Sequence, residues 1–438
     1  MSVAPARVAA YTVLRRVFEQ DAFADRALHT AAAGLAPRDR SLATAMVYGT
    51  VQRRRTLDHL LQGFSSRPLE RLEPAVLAAL RLGLFQIVFL GGVSDYASVN
   101  ESVELAKRDS RGGAALVNAV LRRASREAPA RFAALTEESP QAAALRHSVP
   151  DWLAELWWIQ LGPQAARALL ATVNEPAESA IRVNSLRSET EAVRAALPAG
   201  CAARAAPGWN AQPGLPELPE VLVLDGPYDA FGSELFAQGA LMPQSRSSAV
   251  VARVLDPQPG ERVLDLCAAP GAKTTHLAAL MRGEGEIVAV ERHAGRARAL
   301  AQTCLTMGAA HVSVVARDAR RFQDEQGFDR VLLDPPCSGL GTLQSRPDLR
   351  WQPRRGELAT LATTQRELLD HASRLLRPGG TLVYSVCTIS SPESDQLIAG
   401  FLGANADFEL DRAWQILPHA EHTDGFYIAR LRRRGSAR

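Results

Sequence analysis

Near residue 236 the apolar periodicity of this 438-residue chain changes, and no single architecture accommodates both halves. Beyond that point short β-branched runs alternate with helical stretches. The runs are RVLDL (262–266), EIVAVE (286–291), HVSVVARD (311–318), DRVLLD (329–334) and GTLVYSV (380–386), with helices expected at 273–281, 294–307 and 357–376. Alternation of this kind predicts an α/β fold with a largely parallel, doubly wound sheet.

Before the change the chain reads as helix after helix. In VAAYTVLRRVF (8–18), Val8, Tyr11, Leu14 and Val17 recur at three-residue steps. The pattern continues in 41–64, 73–90 and 98–108, where Ser98 and Glu101 suggest an S-x-x-E capping box. Residues 146–235 are mixed, with a helix at 151–162, strand candidates at 179–185 and 221–224, a helix near 188–197 and a Pro/Gly-rich stretch at 207–219. Three domains are expected: a helical bundle at 1–145, a small α/β linker domain at 146–235 and the alternating domain at 236–434. The basic tail RLRRRGSAR (430–438) reads as frayed.

No apolar run approaches the ~18 residues of a membrane span, and no basic-then-apolar leader opens the chain, so a cytoplasmic protein is expected. Five cysteines without a CxxC pair suggest neither a disulfide framework nor a metal site. Net charge is +3 but uneven: residues 1–150 carry 20 Arg/Lys against 14 Asp/Glu, and the remainder 30 against 33. A basic front half points to a polyanionic partner, with the adjacent Arg53, Arg54 and Arg55 as candidate phosphate contacts. Only Lys107 and Lys273 among the 50 basic residues are lysines, which singles out Lys273 in the turn described next.

That turn, Cys267-Ala268-Ala269-Pro270-Gly271-Ala272-Lys273, follows the first run of the alternating half and opens a helix. Its small residues let a ligand approach the backbone, beside a helix N-terminus suited to a carboxylate. Glu291 ends the next run, where a carboxylate accepts bonds from ribose hydroxyls. Asp318 and Asp334 end the third and fourth. In open α/β sheets this edge binds the ligand. Cys337 and Cys387 follow the fourth and fifth runs, and adjacent strands lie ~4.8 Å apart, so both thiols can reach one substrate. Sulfur addition to C6 of a pyrimidine makes C5 an enamine carbon able to take a methyl group. The arrangement points to C5 methylation; spacing alone does not say which thiol attacks. Cys201 and Cys304 read as small buried hydrophobes, and Cys267 has mainly a backbone role.

CAAPGAKTTH, DPPCSGLGTL, RPDLRW and YSVCT resemble the RNA 5-methylcytosine methyltransferases that use S-adenosylmethionine. RDRSLATAMVYGTVQRRRTLDHLL (38–61) and ASVNESVELAK (97–107) resemble a NusB-type helical RNA-binding domain, and the combination is similar to the RsmB (Sun/Fmu) family of 16S rRNA cytosine-C5 methyltransferases. The resemblance extends to the terminal DGFYIARL (424–431). It implies a Rossmann-like methyltransferase domain, S-adenosylmethionine as cofactor and an RNA partner, with 16S rRNA foremost. A monomer is expected, with neither DNA nor membrane as partner. By the same resemblance, residues 267–273 would hold the methionine portion of the cofactor, Glu291 the ribose, and Asp318 would lie by the adenine. Asp334 would sit near the methyl and the target base, Cys387 would be the nucleophile, and Cys337 would assist proton removal or product release.

The chain departs from the family pattern at four places. Ala272 stands where Gly is usual, which requires a negative φ. Glu291 replaces the commoner Asp. Val386 replaces a Thr before Cys387, and Pro392-Glu393-Ser394 replaces a Glu-Glu-Asn-like run. An RNA-binding assembly factor with an inactive methyltransferase domain is a competing reading, against which stand both thiols and all three acidic strand ends. A DNA cytosine methyltransferase would leave the second thiol and the helical front unexplained.

Overall fold

The computed structural model describes residues 3–352 and 355–435. These form two compact units, one holding the chain up to Glu175 together with Leu343–Gln352, the other holding Pro176–Thr342 and the remainder.

The first unit is helical: α1 (Pro5–Gln20), α2 (Ala24–Ala31), α3 (Pro37–Gln52), α4 (Arg54–Gln62), α5 (Pro74–Phe89), α6 (Asp95–Asp109), α7 (Gly113–Ala133), α8 (Pro140–His147) and α9 (Asp151–Thr172). Proline at the first turn of α1, α3, α5 and α8 starts each where its missing N–H is no loss. α5 is apolar and buried nearly all round, so the others pack about it, with Leu14, Met46, Leu57, Leu61 and Leu121 in the core. The capping residue of α6 is Ser94, not Ser98: its side chain accepts from the Ala97 N–H. Ser98 is buried one turn inside, and Glu101 instead accepts from Arg7 and from the Ala4 N–H. Because α9 packs on α8, this unit ends at Glu175, about thirty residues beyond the boundary expected near 145.

The three adjacent arginines are a second departure from expectation, since they form no open basic stripe. They mark the break between α3 and α4 and turn inward. Arg53 lies over the Phe89 ring at 4.7 Å, and Arg54 lies over Phe18 and Trp351. Arg55 donates to Val149 O and pairs with Asp151. Burial lowers the Arg53 pKa to about 10. The RPDLRW segment belongs to this unit. Arg350 is fully buried and donates to the carbonyls of Gln52, Ser148, Val173 and Leu343 and to Asn174 Oδ1.

The second unit opens with β1 (Ala180–Val183), α10 (Thr190–Ala195), β2 (Ala202–Ala205), β3 (Val221–Asp225), α11 (Glu234–Ala237) and β4 (Leu241–Pro243). The four strands make an antiparallel sheet in the order β2-β3-β1-β4. α12 (Arg246–Leu255) leads to β5 (Arg262–Leu266), α13 (Ala272–Leu280), β6 (Glu286–Glu291), α14 (Ala294–Thr306), β7 (Val312–Ala316), β8 (Phe328–Leu333), α15 (Arg355–Leu375), β9 (Leu376–Val386), α16 (Asp395–Ala404), β10 (Phe408–Ile416) and β11 (Phe426–Arg433).

Strands β5 to β11 form the main sheet, ordered β10-β11-β9-β8-β5-β6-β7. Its five expected strands are parallel; β11 and β10 add an antiparallel edge. Alternate residues bury on opposite faces. Val263, Ile287, Leu332 and Val383 pack with α12, α13 and α14, whereas Leu264, Val288, Val331 and Leu382 pack with α15 and α16. Sheet, helices and turns thus agree with a Rossmann-like domain behind a helical one. The basic tail is partly ordered, contrary to expectation: Arg430–Arg433 pair within β11 because β9 offers a free edge there. Residues 436–438 lie outside the described residues. Among the described residues no helix is long and apolar enough to cross a membrane.

Candidate active site

Parallel strands in the order β9-β8-β5-β6-β7 bring five sequence signals to one sheet edge: Cys387 after β9, Asp334 after β8, the 267–273 turn after β5, Glu291 at the end of β6 and Asp318 after β7. The turn leaves β5 through Cys267 at φ 65° and reaches Gly271 at φ 109°, the residue before α13. The φ of 109° favours glycine there, and a side chain at Gly271 would also have to push aside Leu300 Cδ1, 2.7 Å from the Cβ position. Ala272 is the first residue of α13 and has no positive φ, which is why alanine is tolerated. No side chain caps α13, so its first N–H groups are available to an anionic ligand group.

Beneath the turn, Asp265 is almost wholly buried. Its Oδ2 accepts from Thr274 Oγ1 at 2.7 Å, while Oδ1 is buried without a hydrogen-bond partner. Burial pushes its pKa up to about 7. A small ligand with a carboxylate and an ammonium group matches this pair of features, uncapped N–H groups above and an unsatisfied acceptor below. The sequence reading missed Asp265, although its place inside the RVLDL strand was a possible signal. Arg182 backs the same helix, donating to Ala272 O and Thr275 Oγ1 from β1.

Glu291 is buried, with Oε1 accepting from the His293 N–H and Oε2 3.4 Å from Arg296 Nη2. Asp318 is held by Arg320, which donates to it from backbone and guanidinium and keeps its pKa down near about 2. It lines an open cleft with Arg317, Arg321 and Gln323.

Asp334 joins the turn to the thiols. Its Oδ2 takes a 2.7 Å bond from Lys273 Nζ and its Oδ1 a 2.9 Å bond from Ser385 Oγ. Burial would lower the Lys273 pKa, but the charge and hydrogen bond of Asp334 more than offset it and the net shift is upward. Lys273 therefore reaches the strand-end carboxylate from the turn.

The Cys337 and Cys387 sulfurs are 3.4 Å apart, within hydrogen-bond reach and not joined as a disulfide. The hydrogen bond to Cys387, then burial, then the charges of Cys387 and Glu393, hold the Cys337 thiol well above the usual range. The Lys273 cation interacts with Cys387, and the Glu393 carboxylate contributes to raising the Cys337 thiol. Burial also raises the thiols of Cys201, Cys267 and Cys304, the last two to about 12, so these three resemble structural cysteines.

The Val386 departure has a simple resolution. Alternation along β9 turns Val386 into the core on the α15 side, whereas Cys387 packs against the opposite cluster, and the hydroxyls flanking it in sequence bond elsewhere, Ser385 to Asp334 and Thr388 with Ser338.

Comparison with known proteins agrees with this fold. A family model described as 16S rRNA methyltransferase RsmB/F matches residues 252–432, and a NusB family model matches residues 4–126. The chain is 34% identical over 423 residues to a probable ribosomal RNA small subunit methyltransferase B of Bacillus subtilis, with 92% of each covered. It is 35% identical over 408 residues to ribosomal RNA small subunit methyltransferase B of Thermus thermophilus, covering 90% of this chain and 89% of that one. Among solved structures, PH0851 superposes with a TM-score of 0.82 at 28% identity, covering 98% of this chain and 99% of the other.

Proposed function

The chain belongs to the RsmB/F family of 16S rRNA methyltransferases, with a NusB-family domain in front, and from that membership we propose that it methylates C5 of a cytosine in RNA, 16S rRNA foremost, with S-adenosylmethionine as donor and a covalent cysteine–C6 intermediate. The observation that carries this reading is the pair of sulfurs 3.4 Å apart beside the Lys273–Asp334 ion pair.

S-adenosylmethionine, when bound, supplies a methyl group on a positively charged sulfur. The uncapped start of α13 and the acceptor of Asp265 would take its carboxylate and ammonium, residues 267–273 would hold its methionine portion and Glu291 its ribose, and Asp318 would lie by the adenine. Cys387 adds as thiolate to C6, and the electron pair of the C5=C6 bond passes into the ring. C5 would then take the methyl group, the electron pair of the broken S–CH3 bond staying on the donor's sulfur as a neutral thioether, and would carry both the methyl and a proton. Removal of that proton restores C5=C6 and expels the Cys387 sulfur. The Cys337 thiol, 3.4 Å from the departing sulfur, hands its S–H proton to that sulfur and takes up the C5 proton in its place. The interaction of the Lys273 cation with Cys387 supports Cys387 as the nucleophile, because a cation beside a sulfur favours its anionic form. Asp334 offers an acceptor beside the target base, matching the exocyclic amine that distinguishes cytosine. As functional domains we propose the helical unit, residues 1–145 with the packed α8 and α9, for RNA binding, the remaining segment up to 235 as linker and 236–434 for catalysis, in a cytoplasmic monomer.

Glu291→Ala should weaken S-adenosylmethionine binding by about 1.5–3 kcal/mol, the range for hydrogen bonds to a charged acceptor. Calorimetry on the folded variant reads this as a roughly ten- to hundredfold loss; unchanged affinity would refute the ribose assignment.

RNA affinity from the helical unit has to come from residues other than Arg53–Arg55. Lys107, Arg108, Arg111, Arg122, Arg123 and Arg126 are exposed on or between α6 and α7. Replacing Arg108, Arg111, Arg122 and Arg126 by Glu should flatten the dependence of log affinity on log salt, by up to about 3 if all four contact phosphates. An unchanged slope would remove this surface as the anchor. Bisulfite sequencing of rRNA and tRNA from a strain lacking the gene tests the proposed function directly: one protected cytosine in 16S rRNA should lose its protection.

A further inference from the structure

Behind the two thiols lies a carboxylate that the reaction above does not use. Glu393 is completely buried in the short turn before α16. Its Oε1 accepts from the Ser338 N–H at 2.9 Å and from Gln365 Nε2 at 3.0 Å. Its Oε2 accepts from Ser338 Oγ at 2.6 Å and Thr388 Oγ1 at 3.4 Å, and those two hydroxyls lie 2.7 Å apart. Ser338 directly follows Cys337, and Thr388 directly follows Cys387. Gln365 also donates to Pro336 O, on the other side of Cys337, and Tyr384 O–H donates to the Glu393 carbonyl from β9. One side chain thus gathers the loops of both sulfurs.

We propose that Glu393 is a positioning residue that holds the Cys337 and Cys387 loops in the register that brings their sulfurs together. This rests on the two-thiol reading of the site. The donor set explains why an acid is required. A backbone N–H and an amide N–H both point at Oε1, and hydroxyls approach Oε2, so an acceptor-only group satisfies all of them at once. An amide would turn an N–H₂ toward at least one donor. None of these partners carries a positive charge, so the carboxylate also acts on its surroundings as an uncompensated anion. It contributes to keeping the Cys337 thiol raised. Glu393 therefore spaces the two sulfurs.

The test compares the wild type with Glu393→Gln and with a Ser338→Ala/Thr388→Val double variant. Iodoacetamide alkylation of each cysteine is followed against pH by peptide mass spectrometry on the full chain without RNA or cofactor. Methyl transfer to RNA is measured in parallel, with the melting temperature and S-adenosylmethionine affinity as checks on the fold. For Glu393→Gln we expect cofactor affinity within about twofold of wild type. We also expect the Cys337 alkylation profile to move to lower pH and kcat to fall on the order of a hundredfold, the loss that misplacement by about 1 Å brings, with KM for RNA little changed. The double variant should move kcat in the same direction by less, and it decides the matter if Glu393→Gln does not fold. Wild-type alkylation profiles and wild-type kcat in a folded variant would overturn the proposal. Because the profiles need no catalysis, they report on Glu393 even if Cys387→Ala proved active and the two-thiol chemistry failed.

Discussion

Cys387→Ala should abolish methylation, by at least the order of 10⁴-fold, and should form no covalent adduct with RNA. Cys337→Ala should behave differently, because on the proposed mechanism the Cys337 side chain acts after the methyl group has moved. That variant should accumulate a protein–RNA complex that survives denaturation and that requires both S-adenosylmethionine and Cys387. The contrast follows from the order of bond making: loss of the attacking sulfur prevents the first bond, whereas loss of the assisting sulfur prevents the last one from breaking. Adduct in Cys387→Ala and none in Cys337→Ala would reverse the roles. Adduct in neither would leave Cys337 without a part in release.

A second large effect is expected far from the chemistry. Arg350→Ala should destabilise the helical unit by about 3 kcal/mol or more, read as a loss in the denaturant midpoint of the full chain. The guanidinium is fully buried and reaches four backbone carbonyls and Asn174 Oδ1. Each buried acceptor left unsatisfied costs about 1–3 kcal/mol, and a cavity forms as well. Arg350→Lys should recover only part of this, because a single ammonium cannot span acceptors that a planar fork reaches. A loss below about 1 kcal/mol in Arg350→Ala would show that water or neighbours take over those carbonyls.

What could be read in the sequence and what could not divide along physical lines. The five parallel strands and the turn between β5 and α13 were legible because each is a local pattern: a short apolar run, small residues, then a helix. Their order along one edge follows from the doubly wound rule, so Glu291, Asp318, Asp334 and Cys387 fall at the expected end of the sheet. The antiparallel edge β10–β11 was not legible, since FYIARLRR carries charges that suggest a tail and its pairing with β9 is a long-range event. The arginine triplet failed for a related reason. Charge in sequence does not tell which guanidiniums lie over aromatic rings, and Phe18, Phe89 and Trp351 come from distant segments. Ser98 was mistaken for a helix cap because S-x-x-E marks the motif but not its position along the helix. The Glu393 network was invisible because its members are spread from Ser338 to Glu393 and only the folded sheet gathers them.

The central claim is that C5 of cytosine receives the methyl group. The most direct measurement incubates the purified protein with 16S rRNA and isotopically labelled S-adenosylmethionine, digests the RNA to nucleosides and separates them by chromatography with mass detection. The account predicts label in 5-methylcytidine alone, and none when Cys387 is replaced by Ala. Label on a ribose hydroxyl, on an exocyclic amine or on a purine would contradict it, as would 5-methylcytidine formed at the wild-type rate by Cys387→Ala.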